Sequence, residues 1–277
     1  MKRKYLVKGV ILSGGEGRRL RPLSFYLQKG MIPVGPQQNP LLEYIVRAMG
    51  SHGVDDIAIL AGYKHEQIAN YFGDGDRFGV RISYVLDEEG AGGTGTSLLN
   101  AYSRGAFDGF DVLFIHYGDI LTDVDLADLL GHHLRSGAMA TLMVSRRYRV
   151  PVGVAEVGGE EIVRLVEKPE LDINVTTGIL VLSVEALKRL DMWRQSGSKK
   201  FQGGFDIMAN FIPRLIEEGA KVVPYVSDAD WYDVGSIEKY EKLDNGLIER
   251  VMTRINSNSP PLIAEARHRS ITRIVGR

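Results

Sequence analysis

Residues 10–22, VILSGGEGRRLRP, end a short apolar run in two glycines, add a third, and then set three arginines into four positions. Glycines after a strand let the backbone turn sharply and bring several N–H groups together into an anion-binding concavity. The residues that follow would open a helix or turn whose amides also favour phosphate. The same residues suit a tight surface turn with solvated arginines. Two phosphate loops are excluded directly. A P-loop needs Gly-Lys-Ser/Thr after its spacer, and none is present. A dinucleotide fingerprint needs G-x-G-x-x-G, whereas here Arg-Arg-Leu follows the glycines and the segment runs into proline.

Two aspartates more than a hundred residues apart are the next candidates. Gly118-Asp119 closes the apolar run of LFIHYGDIL, and Asp233 stands between aromatics and a glycine in DADWYDVGS. An aspartate in such a place caps a helix, shapes a turn or binds a cation. A divalent cation would offset the charge of a phosphate held by the glycine–arginine loop, and Mg²⁺ is held by one or two carboxylates plus phosphate oxygens and water. The run Glu167-Lys168-Pro169 in VEKPE reads by itself as a charged turn. Asp87 to Glu89, ahead of the glycine-rich GAGGTGTS, are either solvated or accept from the N1–H and N2 amino group of guanine. A pyrimidine offers one ring donor there, so the second alternative points to GTP. Little side chain intervenes in the glycine-rich loop, which lets backbone groups approach a base.

These residues need a scaffold that brings them to one edge. The first half alternates strand-like and helix-like segments: LVKGVIL, PLLEYIVRAMGSHG, DIAILAG, KHEQIANYFGDG, RISYVLDE, TSLLNAYSRG, DVLFIHYGD and DVDLADLLGHHLRSG. Strands separated by helices imply crossovers and an α/β, doubly wound, mostly parallel mixed sheet of Rossmann-like type. Ligands of such sheets bind beyond the carboxyl ends of the strands, where SGGEGRR, GAGGTGT and Gly118-Asp119 fall. After residue 140, ATLMVS, VGVAEVGG, EIVRLVEKP and TTGILVLS are shorter β runs, expected as antiparallel additions to the same sheet. SIEKYEKLDNGLIERVMTRI is expected as one charged helix, and the division drawn is residues 1–245 and a C-terminal helical and basic tail, 246–277. His132 and His133 are adjacent on a helix, so they face different directions and make no i, i+4 metal pair.

The 277 residues carry 34 basic and 35 acidic side chains. That balance leaves no electrostatic footprint for nucleic acid or an anionic membrane. No apolar stretch is long enough for a membrane span, and the N-terminal apolar run is too short for a signal peptide. There is no cysteine, which removes disulfides, thiolate metal sites and cysteine nucleophiles. The expectation is a cytoplasmic protein. Its basic tail would lie on a neighbouring copy, as in a homo-oligomer, or free.

GGEGRRLRPLS followed by KGMIPV resembles the sugar-1-phosphate nucleotidylyltransferase (nucleotide-sugar pyrophosphorylase) family, with its Gly-Gly-x-Gly-x-Arg-Leu-x-Pro-Leu-Ser/Thr and a lysine before Pro-Val. The resemblance covers roughly residues 7 to 240. It implies a glycosyltransferase-A-like fold, a nucleoside triphosphate and a sugar 1-phosphate as partners, Mg²⁺ as cofactor, and transfer of the nucleotidyl group with release of pyrophosphate. Carried over, Arg19, Lys29, Asp119 and Asp233 are catalytic, the two aspartates being the metal ligands. Leu12, Gly14, Gly15, Gly17, Glu88, Gly93 and Thr94 would bind the nucleotide. Gly153, Glu167, Lys168 and Thr177 would bind the sugar phosphate. GTP with a mannose- or heptose-type sugar 1-phosphate is expected first, dTTP or UTP with glucose 1-phosphate next. The departures are Gln28 and Gly30, where the family usually has prolines, two extra residues in GPQQNP, and Thr176 in place of an asparagine. Larger relatives append a β-helix of hexapeptide repeats, and no such repeat is present. A non-catalytic paralogue that senses nucleotide-sugar would be marked by loss of Arg19, Lys29 or an aspartate. All four are present.

Overall fold

The computed structural model describes residues 5–88, 92–196 and 204–257. β1 (Val7–Ser13) runs into a series of 3-10 turns at Arg18–Leu20, Leu23–Phe25 and Lys29–Met31. The short pair β2 (Pro33–Val34) and β3 (Asn39–Pro40) leads to α1 (Leu41–Ser51), followed by β4 (Asp56–Ala61) and α2 (His65–Phe72). β5 (Arg81–Leu86), α3 (Thr94–Ser103), β6 (Val112–Tyr117), β7 (Ile120–Thr122) and α4 (Leu126–Ser136) complete the first half. The second half is β8 (Ala140–Arg149), β9 (Val154–Gly158), β10 (Glu161–Val166), β11 (Glu170–Ser183) and α5 (Val184–Gln195). A π-helical turn (Ile207–Phe211) then runs into α6 (Ile212–Glu217), and β12 (Val222–Ser227), β13 (Trp231–Asp233), α7 (Ile237–Glu241) and α8 (Asn245–Asn256) close the described chain.

Seven strands form one sheet in the order β12-β8-β11-β6-β1-β4-β5. β6, β1, β4 and β5 are parallel to one another. β11 enters antiparallel to both β6 and β8, and β12 lies parallel to β8. The sheet is therefore the mixed, mostly parallel one read from the sequence. β1 lies inside the sheet between β6 and β4 and is buried on both faces, as its apolar run requires. Val10 and Leu12 join the core layer under α3, α5 and α6, whereas Ile11 joins the layer under α1, α2 and α4. This alternation is the two-residue period of a strand. Because the parallel strands share a direction, the ends of β1, β4, β5 and β6 all open on one edge.

Two expectations are corrected by the packing. β9 and β10 pair only with each other, as a separate two-stranded sheet, rather than joining the main one. The C-terminal helix is two helices, because Asp244 accepts from the Gly246 amide and starts a new N-terminus. Leu247, Ile248 and Val251 of α8 are buried with Val34, Leu41, Tyr44, Leu121 and Val234. The basic tail beyond residue 257 lies outside the described residues.

His116 on β6 and His133 on α4 are buried, and each ring Nδ1 has one partner: the Tyr117 carbonyl at 2.8 Å and Thr141 Oγ1 at 2.9 Å. Burial holds both imidazoles down to about 4. In the unfolded chain they titrate near 6.5, so between those values the unfolded chain binds more protons and stability falls as the pH drops. Each histidine should cost about 2 kcal/mol of stability by pH 5 relative to pH 7.5. Urea unfolding at the two pH values measures the loss, and a His116→Gln/His133→Gln variant should show a flatter dependence.

Candidate active site

A cleft of about 730 Å³ opens at the carboxyl ends of the parallel strands. Of the residues singled out by sequence, Leu12, Gly14, Gly15, Arg19, Lys29, Gly93, Thr94, Asp119, Thr177 and Asp233 line it. They come from six separate segments. The loop after β1 is shaped by close approaches: a Cβ on Gly14 would sit 2.0 Å from Asp87 Oδ2, whereas one on Gly15 would meet nothing within 4 Å. Gly15 thus leaves its backbone open to a ligand. Gly17, outside the cleft lining, takes a left-handed conformation with φ of 64°, and a Cβ there would press on the Cβ atoms of Lys29 and Ser24.

The three arginines of the loop separate by partner. Arg18 holds Glu16 through two hydrogen bonds of 2.8 and 3.2 Å, and Arg21 lies 3.6 Å from the same carboxylate. Arg19 makes no ion pair among the described residues and faces the cleft. That is the arrangement of a cation kept for an anionic ligand. A second cation is tied in place: Lys29 Nζ donates to Asp119 Oδ2 at 2.6 Å, both side chains being largely buried.

Asp119 directly follows the Gly118 turn at the end of β6. The Gly118 amide donates to the Leu12 carbonyl at 2.9 Å, and a Cβ on Gly118 would lie 2.9 Å from that oxygen. Only glycine allows β6 to turn this close to β1. Asp233 arrives on β13, which pairs antiparallel with β7, and the Val234 amide donates to the Asp119 carbonyl at 2.8 Å. The two aspartates are thereby neighbours across a backbone pairing. Lys239 Nζ lies 2.5 Å from Asp233 Oδ2. Two carboxylates beside an open phosphate loop suit Mg²⁺, which completes its shell with phosphate and water. Among the described residues no group of three or more histidine, cysteine or acidic side chains converges as a transition-metal site would need.

Gln28 and Gly30 explain the departure from the proline pattern. The Gln28 side chain, fully buried, donates to the Ser13 carbonyl at 2.8 Å and lies 3.0 Å from Ser13 Oγ, and its Oε1 accepts from the Gly30 amide. Proline at 30 would lack that N–H. A Cβ at Gly30 would also fall 2.4 Å from Leu42 Cγ. The amide of Gln28 therefore ties the Lys29 turn to the end of β1.

The base-side loop is stitched to the segment before α6. Thr94 Oγ1 donates to Asp206 Oδ2 at 2.7 Å and accepts from the Ile207 amide at 2.9 Å. Gly93, at φ 95°, is needed because a Cβ there would strike the Phe205 backbone at 2.4 Å. Of the acidic run, Asp87 lines the cleft, and burial raises its pKa. Glu88 is exposed and pairs with Arg104 at 3.4 Å, so it faces away from the cleft. Glu89 lies outside the described residues.

The sugar-side residues are not all brought in. Thr177 is buried in the cleft wall, beside Tyr148, Thr176 and Gly178. Gly153, Glu167 and Lys168 stand outside, at the base of the exposed β9–β10 hairpin. They do converge on one another: a Cβ on Gly153 would meet Glu167 Oε2 at 3.0 Å, and Lys168 Nζ is 3.4 Å from Glu167 Oε1. Asp206, Tyr117, Trp231 and Lys239 are cleft residues that sequence reasoning did not select. Asp206 had a legible signal as a helix N-cap, which concealed its second role. A further cavity of about 610 Å³ lies at the opposite edge of the sheet and holds none of the predicted residues.

Residues 8–250 match the family model described as nucleotidyl transferase. The chain belongs to that family. It is 28% identical over 264 residues to the UTP--glucose-1-phosphate uridylyltransferase of Synechocystis sp., covering 90% of this chain and 65% of that protein. It is 28% identical over 249 residues to the D-glycero-alpha-D-manno-heptose 1-phosphate guanylyltransferase of Aneurinibacillus thermoaerophilus, covering 87% and 98% respectively. The crystal structure of HddC from Yersinia pseudotuberculosis shares the fold, with a TM-score of 0.63 at 20% identity, covering 86% of this chain and 97% of that one. The chain thus spans just under two thirds of the Synechocystis relative and nearly all of the Aneurinibacillus one.

The brace on Lys29 can be tested by stability. Gln28→Leu leaves the Ser13 carbonyl and the Gly30 amide buried without their partner, which should cost about 1–3 kcal/mol. A urea midpoint equal to wild type would contradict the role.

Proposed function

We propose that this chain transfers a nucleotidyl group from a nucleoside triphosphate to a sugar 1-phosphate, giving a nucleotide-sugar and pyrophosphate. The observation that carries this reading is the Lys29–Asp119 ion pair, set beside Arg19, Asp233 and the Gly14-Gly15 backbone in one cleft. The sugar-phosphate oxygen is already ionised at neutral pH and needs no general base. It attacks the α-phosphorus, forming an O–P bond as the bond to the pyrophosphate oxygen breaks in line. Catalysis then consists of positioning and charge neutralisation. Arg19 and Lys29 neutralise the triphosphate, and the open Gly15 backbone admits its phosphates closely. Asp119 and Asp233 would hold Mg²⁺, which supplies the positive charge shared between the two phosphates. Lys168 has the charge to hold the sugar phosphate, for which the β9–β10 hairpin has to approach the cleft.

For the base, the cleft supports guanine through Asp87. Its carboxylate, partly buried beside Gly14 and Gly62, is an acceptor for the N1–H and N2 amino donors that only guanine presents together. A guanylyltransferase for a mannose- or heptose-type sugar 1-phosphate is the reading favoured, with dTTP or UTP and glucose 1-phosphate next. Pyrophosphate release across a grid of five nucleoside triphosphates and several sugar 1-phosphates, with Mg²⁺, tests it. One preferred combination is expected, and silence across the grid would overturn the activity.

Lys29→Ala or Asp119→Ala should lower turnover by about a hundredfold or more, with an unchanged circular dichroism spectrum. Rates close to wild type in either would remove the assignment. Asp87→Asn should lower kcat/KM for GTP by about tenfold or more while leaving pyrimidine triphosphates unaffected. Equal losses for all bases would place Asp87 in the scaffold only.

A further inference from the structure

Lys239 is a cation that the reaction above does not use. It sits on α7, six residues beyond Asp233, and its ammonium is 2.5 Å from Asp233 Oδ2. The other carboxylate oxygen lies over Gly235, where a Cβ would fall 2.6 Å from Asp233 Oδ1. The backbone of Lys239 is anchored on both sides. Tyr232 Oη donates to the Lys239 carbonyl at 2.8 Å, Ser236 Oγ accepts from its amide at 3.4 Å, and the next residue, Tyr240, donates to the Pro33 carbonyl at 2.7 Å. The side chain is freer. It is 46% exposed, against 19% for Lys29. A fixed backbone with a solvent-facing ammonium lets the charge be moved off Asp233 at little structural cost.

When a divalent cation approaches a carboxylate oxygen that accepts from an ammonium, the cation and the ammonium repel as like charges. The nearer and less solvated the two cations, the larger their repulsion. Lys29 shows the same relation to Asp119, but deeper and with a role toward the triphosphate. Each of the two aspartates therefore has its own lysine, one largely buried and one half-exposed.

We propose that Lys239 is a positioning residue that holds Asp233 in its cleft-facing orientation and competes with the divalent cation for it, setting the cation concentration at which the site loads. This rests on the reading of Asp119 and Asp233 as the carboxylates of a cation site. The competition is one of charge, so an arginine at 239 preserves it and an apolar chain of similar length removes it.

The test is direct binding of Mn²⁺ to the whole chain, followed by the electron paramagnetic resonance signal of the free ion. Lys239→Met should tighten Mn²⁺ binding about three- to tenfold, the scale of one partly screened charge contact. Lys239→Arg should bind as the wild type does. Lys242→Met removes an exposed charge nearby on the chain that pairs with neither aspartate among the described residues, and should change affinity by less than about twofold. Unchanged or weaker binding in Lys239→Met overturns the proposal, as does equal tightening in Lys239→Arg or in Lys242→Met. Asp233→Asn separates the two readings. If it weakens Mn²⁺ binding while Lys239→Met changes nothing, only the lysine's role fails. If Asp233→Asn itself changes nothing, the cation site fails and the lysine's role with it.

Discussion

The half-buried ion pair between Lys29 and Asp119 is the contact on which the cleft is built. Taking two opposite charges partly out of water costs free energy, and mutual attraction offsets that only when their geometry is held. Holding it draws in much of the fold. Asp119 is placed by the Gly118 turn, which only a glycine can make against the Leu12 carbonyl. Lys29 is placed by the buried Gln28 amide, which grips the end of β1. β1 and β6 must then be parallel neighbours, and the two loops that leave them must face each other. A change that let either loop drift would leave a charge stranded beside an apolar layer.

From that pair the charge balance of the cleft can be followed outward. Arg18 and Arg21 are answered by Glu16 within their own loop, Lys29 by Asp119 and Lys239 by Asp233. Arg19 is left to face an incoming anion. The glycines serve the same end by different means. Gly14 makes room for the Asp87 carboxylate, Gly93 for the backbone of Phe205, and Gly15 for nothing belonging to the protein. Two of the three are occupied by neighbours, and the third is the one that leaves backbone open to a ligand.

The sugar side is less completely assembled. Gly153, Glu167 and Lys168 touch one another but stand on an exposed hairpin outside the cleft, whereas Thr177 lies in its wall. The hairpin shares no ladder with the main sheet, so its position follows from where β8 leaves and β11 returns. A motif can thus be intact as a local cluster while its distance from the chemistry depends on how one hairpin stands.

Much was legible in the residues alone. Alternating β and helical segments give a mostly parallel sheet because crossovers leave little alternative, and parallel strands necessarily deliver their C-terminal loops to one edge. That argument placed the glycine–arginine loop and Gly118-Asp119 at one edge, and the motif resemblance reached the family. It could not reach contacts set by long-range packing. Asp87 and Glu88 are adjacent and chemically alike, yet Asp87 lies beside Gly14 and Gly62 in the cleft and Glu88 meets Arg104. Asp206 belongs to none of the motifs read from the sequence and is the partner of Thr94, more than a hundred residues away. Gln28 and Gly30 looked like defects in a proline pattern and became a brace once Ser13 and Leu42 were beside them. Composition and spacing determined which chemical groups this protein carries and in what order. Which of them share a solvent shell, and which cation answers which carboxylate, was decided only by tertiary structure, because charge and hydrogen bonding act through distance in space and not along the chain.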